Sequence, residues 1–117
     1  PHPQLERDGD DIVSDLVLNF GEAALGTTLD VETVDGSETV NVPAGIQPGS
    51  VIKLNGRGVP RYRGRGRGDQ RVVVRVAVPK KVSREQRVLL EQLRDSLPTG
   101  VDVDDMGFVG KARAAFR

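Results

Sequence analysis

The sequence predicts an all-β fold, a small β-sandwich with a short helical turn, followed by C-terminal helices. Short runs rich in Val, Ile and Leu recur between clusters of Gly, Pro, Asp and Asn, the rhythm of strands and turns. With three Phe, one Tyr and no Trp, the core must rest on aliphatic side chains, and clustered valine favours strands. After Val82 the apolar spacing becomes helical, which marks where the β-region ends. A chain of 117 residues buries roughly 65% of its unfolded surface, enough for one modest core.

The elements follow in order. Residues 1–11, PHPQLERDGDD, are polar and turn-rich and read as a lead-in segment. Residues 12–20 form a strand with Ile12, Leu16, Leu18 and Phe20 on one face, interrupted by Ser14, and Val13 and Val17 on the other. GEAALG at 21–26 suits a single helical turn that Gly26 can close. In TLDVETV, 28–34, Leu29 and Val31 share one face and Asp30 and Glu32 the other. Asp35-Gly36 signals a hairpin, and SETVNV, 37–42, is its return strand. PAGIQPG at 43–49 is a loop and SVIKL, 50–54, a fourth strand. The last strand, near 70–78, carries Val72, Val74, Val76 and Val78 on one side and ends at Pro79.

The remainder is helical in pattern. Ser83 and Gln86 make a capping box, and Leu89, Leu90, Leu93 and Leu97 follow at helical spacing until Pro98 and Gly100. In the tail, Phe108, Ala112 and Phe116 stand at i, i+4 and i+8, a short amphipathic helix weakened by Gly107 and Gly110. The expected organisation is therefore a lead-in at 1–11, a β-sandwich at 12–79, a helix at 80–97 and a tail at 98–117. The first residue is Pro1 rather than Met, so a preceding portion is expected.

Several chemistries are excluded. There is no cysteine and one histidine, His2, so neither a thiolate metal site nor a Ser/His/Asp triad can be assembled. Asp8, Asp10 and Asp11 resemble the start of a calcium loop, but Asn19 stands where the bidentate Glu would be, so a turn is expected. No apolar run approaches 18 residues, so no membrane span is expected, and no signal peptide is visible. The chain is read as no enzyme.

LNGRGVPRYRGRGRGDQRVVV, 54–74, needs separate weighing. Five glycines and six arginines surround Pro60 and Tyr62. One reading is a solvated, mobile connection. Another is capture of acidic segments in a partner protein. A third is a nucleic-acid-binding module acting through residues 57–75. The last is not expected, because only Tyr62 can stack a base and 17 basic residues are balanced by 17 acidic ones. Arg67-Gly68-Asp69 reads as a coincidental tripeptide that helps start a strand.

Five pieces in sequence resemble the DnaJ-type J-domain co-chaperone family, in its second C-terminal β-domain. They are HPQLERDGDDI at 2–12, NFGEAALGTTLDVETVDG at 19–36, VPAGIQPGSVIKLNGRGVP at 42–60, RGRGDQRVVVRV at 65–76 and SREQRVLLEQL at 83–93. Leu5 stands where the family often has Phe in the hinge. The resemblance implies a cytoplasmic stress-response co-chaperone that binds apolar segments of unfolded proteins and delivers them to a DnaK-type ATPase. It implies that residues 1–11 are a hinge from a preceding β-domain. The J-domain and a cysteine-rich zinc region are absent from this stretch, so zinc is expected only outside it. The family's client groove maps onto Leu16, Leu29 and Val31, each of which also qualifies as core. The resemblance further implies a homodimer through the tail, with Met106, Phe108, Val109, Ala112 and Phe116 at the contact. An intramolecular clasp is the other way for that tail to bury its apolar side.

Overall fold

A computed structural model describes residues 5–60 and 66–100. The chain divides into two units, Pro1–Val78 and Pro79–Arg117. In the first, β1 (Leu5–Asp8), β2 (Asp11–Asn19), β5 (Val51–Leu54) and β6 (Gln70–Ala77) form a four-stranded sheet in the order β1-β2-β6-β5. A second sheet is the hairpin of β3 (Thr27–Thr33) and β4 (Gly36–Val42). A short helix α1, Phe20–Leu25, links β2 to β3. The unit is mostly β with one short helix, as the composition predicts.

The pairing of β2 with β6 is parallel, while β1 and β5 flank them antiparallel. The run Val72-Val73-Val74 belongs to this central strand. Partners on both sides satisfy its backbone, and Val72 and Val74 have no exposure at all. The inner face of the large sheet presents Ile12, Leu18, Leu54, Val72 and Val74; the hairpin presents Val31, Val40 and Val42. Leu18, Val42 and Val74 with Ala23 of α1 make one core cluster, and Val31, Val40, Leu54 and Val72 make a second. The hairpin's other face is a polar ladder: Thr28 Oγ1 donates to Asn41 Oδ1 at 2.7 Å and Thr39 Oγ1 to Asp30 Oδ1 at 2.8 Å.

Local chemistry starts and stops the helices. Asn19 Oδ1 accepts from Glu22 N at 2.8 Å while Glu22 Oε1 accepts from Asn19 N at 3.0 Å, a reciprocal capping box, and Gly26 ends α1. In the second unit α2, Arg84–Ser96, opens with the Ser83–Gln86 box the sequence predicts. Its Leu89, Leu90 and Leu93 are exposed. The proposed tail helix lies outside the described residues.

Four expectations change. Residues 5–8, read as lead-in, form edge strand β1, joined to β2 by a tight turn at Gly9-Asp10. Its outward charges hid it, yet charge is a common way to protect a sheet edge. Ser14 does not interrupt the inner face of β2. It is buried there because Gln70 Nε2 donates to its Oγ at 3.0 Å. Phe20 leaves the β2 face and is 47% exposed, because it already begins α1. Val78 lies beyond the end of β6 and is 84% exposed.

Candidate functional site

Three partly buried side chains lie where the two sheets meet. Leu16 of β2, Leu29 of β3 and Ile52 of β5 each pack against both core clusters. Leu16 pairs in register with Val74, and Ile52 with Val72. Each is only partly buried and packs against clusters made of aliphatic side chains. Val31, predicted alongside Leu16 and Leu29, is only 7% exposed and belongs to the core. It can form the floor under an occupant of this region but offers little surface. Ile52 was not singled out from sequence, though its place between Val51 and Lys53 gave the alternation that points it inward.

A second constellation forms at the hairpin turn. Glu38 stands on the face of β4 that carries Val40 and Val42, two and four residues on, so strand periodicity turns a carboxylate toward the interior. Arg57 answers it: its Nε donates to Glu38 Oε1 at 2.8 Å and its Nη2 lies 2.8 Å from the same oxygen. Arg57 Nη1 also reaches Asp35 Oδ2 at 3.5 Å. Arg67 Nη1 approaches that same Asp35 oxygen at 2.7 Å. The hydrogen bond from Arg67, with the charges of Arg67 and Arg57, holds the Asp35 carboxyl below its usual pKa, against the opposing effect of desolvation.

Arg57 and Arg67 are carried by a fixed neck. Gly58 N donates to Gly68 O at 2.9 Å, Gly68 N to Val59 O at 3.0 Å, and Val59 N to Asp10 O at 2.9 Å. Arg67 Nε donates to Gly58 O at 2.9 Å. A Cβ on Gly58 or Gly68 would collide with the Asp10 carbonyl, so glycine at both places permits the backbones to meet. Asp69 completes the neck: its N donates to Asp11 Oδ1 and its Oδ1 accepts from Gly56 N, both at 2.8 Å. Both ends of the segment that the sequence reads as a solvated, mobile connection are thus held by hydrogen bonds. Arg61, Arg63 and Arg65 lie outside the described residues.

Arg71 is paired with Asp8 and lies 3.7 Å from Asp11, and Arg75 lies 3.1 Å from Asp15. The described arginines of this region, Arg57, Arg67, Arg71 and Arg75, therefore each face an acid. Among the described residues no group of His, Cys, Asp and Glu is placed to hold a metal ion, and no helix is long and apolar enough to cross a membrane. Met106, Phe108, Val109, Ala112 and Phe116 lie outside the described residues.

Comparison with known proteins adds one family match and three relatives. The profile of the family described as the DnaJ C terminal domain matches residues 1–79. The chain is 47% identical to the chaperone protein DnaJ of Roseiflexus castenholzii, over 98% of this chain and 32% of that protein. It is 41% identical to the protein of that name from Halalkalibacterium halodurans, over 100% of this chain and 32% of that one. The corresponding protein of Listeria monocytogenes serotype 4a is 39% identical over 100% of this chain and 31% of its own length. The chain spans about a third of the length of these relatives.

Proposed function

The chain belongs to the DnaJ family through its C-terminal domain, and from that membership we propose that it is the client-binding and dimerising part of a cytoplasmic co-chaperone. It binds extended apolar segments of unfolded proteins, and the whole protein passes them to a DnaK-type ATPase. No catalytic step is assigned to it. The observation that carries the reading is the position of Leu16 and Leu29. Both bridge the two core clusters and keep apolar surface in contact with water, with Ile52 beside them and Val31 beneath. Apolar surface of this kind accepts side chains without regard to their sequence, because hydrophobic contact is non-directional. In the proposed assembly two protomers join through residues 101–117.

The nucleic-acid reading is not favoured. Arg57, Arg67 and Arg71 are each engaged by carboxylates of the same chain. Phosphate binding at these three would have to displace those partners. Fluorescence anisotropy with a labelled, extended apolar peptide tests the proposal. A single shallow site should give a Kd between about 1 µM and 1 mM. That Kd should rise by no more than about tenfold as salt is raised, whereas phosphate contacts weaken by orders of magnitude. Tight, salt-sensitive binding of single-stranded nucleic acid with no binding of the peptide would reverse the assignment.

A further inference from the structure

The β3–β4 hairpin forms its own two-stranded sheet, and a lone hairpin is marginally stable in water. Its inward side chains, Leu29, Val31, Val40 and Val42, meet an aliphatic surface made of Leu, Ile and Val. Such packing drives association but discriminates weakly between neighbouring placements, because it has no direction. Directional contacts must fix where the hairpin stands. Three side chains from the large sheet and its neck supply them. Gln70 Nε2 donates to Glu32 O at 2.9 Å, Arg57 engages Glu38 and Asp35, and Arg67 engages Asp35. All three act at the turn end of the hairpin. The arginine forks have fixed, planar geometry, and the neck that carries them is seated on the Asp10 carbonyl.

We propose that Arg57 and Arg67 are positioning residues that latch the hairpin turn to the neck and thereby set where Leu29 stands relative to Leu16. The proposal rests on the client-binding reading above. It gives the ends of the Arg- and Gly-rich segment a purpose independent of any nucleic acid. It also explains why a glutamate is tolerated on the inward face of β4. Its carboxylate is the anchor for the fork of Arg57. Because the latch is partly exposed, with side-chain exposures of 39% for Arg57 and 29% for Arg67, it should respond to ionic strength.

The test uses the full chain and the double variant Arg57→Gln/Arg67→Gln. Amide hydrogen exchange is read at Leu29, Val31 and Val40 of the hairpin and at Val72 and Val74 of the central strand. Peptide binding is read separately, by anisotropy with a labelled apolar peptide. In the variant, hairpin amides should exchange at least about fivefold faster while the central strand is unchanged, since local opening draws on local contacts. The peptide Kd should rise about three- to tenfold, as expected when a preorganised site is loosened. Glu38→Gln alone should reproduce part of both effects, and adding Arg57→Gln to it should cost less than Arg57→Gln costs in the wild type, because the two share one contact. Should the double variant fail to fold, the wild type carries the same test. Raising salt from about 0.05 M to about 0.5 M should accelerate the same hairpin amides. Hairpin exchange that ignores both substitution and salt overturns the latch. Faster exchange with an unchanged Kd overturns the positioning role. A wild type that binds no peptide removes the client reading and this role with it, and is recognised because the exchange measurement needs no peptide.

Discussion

At Gly58 and Gly68 the absence of a side chain is the functional property. Both lie against the Asp10 carbonyl, where a methyl group would meet rigid backbone rather than a yielding side chain. Gly68→Ala should therefore destabilise the fold by about 1–3 kcal/mol, the usual cost of overpacking. Chemical denaturation would read this as a lower midpoint at unchanged slope. An unaltered midpoint would show that the neck can separate from the β1–β2 turn without loss. The same scale shows what sequence pattern conceals. Ser14 and Gln70 look like solvent-facing residues, yet each buries the other's polar group, and they are 56 positions apart in the chain. Glu38 similarly breaks the apolar face of β4 because its partner, Arg57, lies 19 positions away. Residues whose environment is set by a distant partner cannot be read from their neighbours.

Strands and caps were far more legible, because their causes are local. Period-2 alternation located β3 and β4, Asp35-Gly36 located their turn, and the Ser83–Gln86 box located the start of α2, whereas the equivalent Asn19–Glu22 box of α1 was read as the end of a strand. The parallel pairing of β2 with β6 was not legible, since it joins segments separated by an intervening hairpin and loop. The turn that is so clear in sequence carries a pH dependence. Hydrogen bonding from Arg67 and two nearby guanidinium charges depress the Asp35 pKa from 3.8. A carboxyl depressed on folding stabilises the native state above its unfolded pKa of about 3.9 and loses that contribution as pH falls through the folded value. Asp35→Asn should thus lower the melting temperature at neutral pH, and the two proteins should converge as pH falls below the depressed pKa of Asp35. A gap that persists unchanged into acid would assign the effect of the substitution to something other than the ionised latch.

At the scale of the molecule, the chain divides between Val78 and Pro79, shortly before the helical spacing that follows Val82. The tail beyond Gly100 concentrates two of the three phenylalanines, and in the proposed assembly it pairs protomers through a two-fold contact. Truncation after Gly100 should convert a dimer into a folded monomer in sedimentation at micromolar concentration. A truncated chain that still dimerises places the contact elsewhere, and a monomeric full chain removes it. Client capture is the property from which the other proposals take their meaning. An NMR titration of the full chain with an unfolded, apolar peptide locates it. Resonances of Leu16, Leu29 and Ile52 should move together and saturate at one affinity, with the same pattern at low and high salt. Saturating peptide that leaves all three unmoved, or shifts confined to the arginine-bearing neck that vanish with salt, would mean that the face between the two sheets is not where this domain binds.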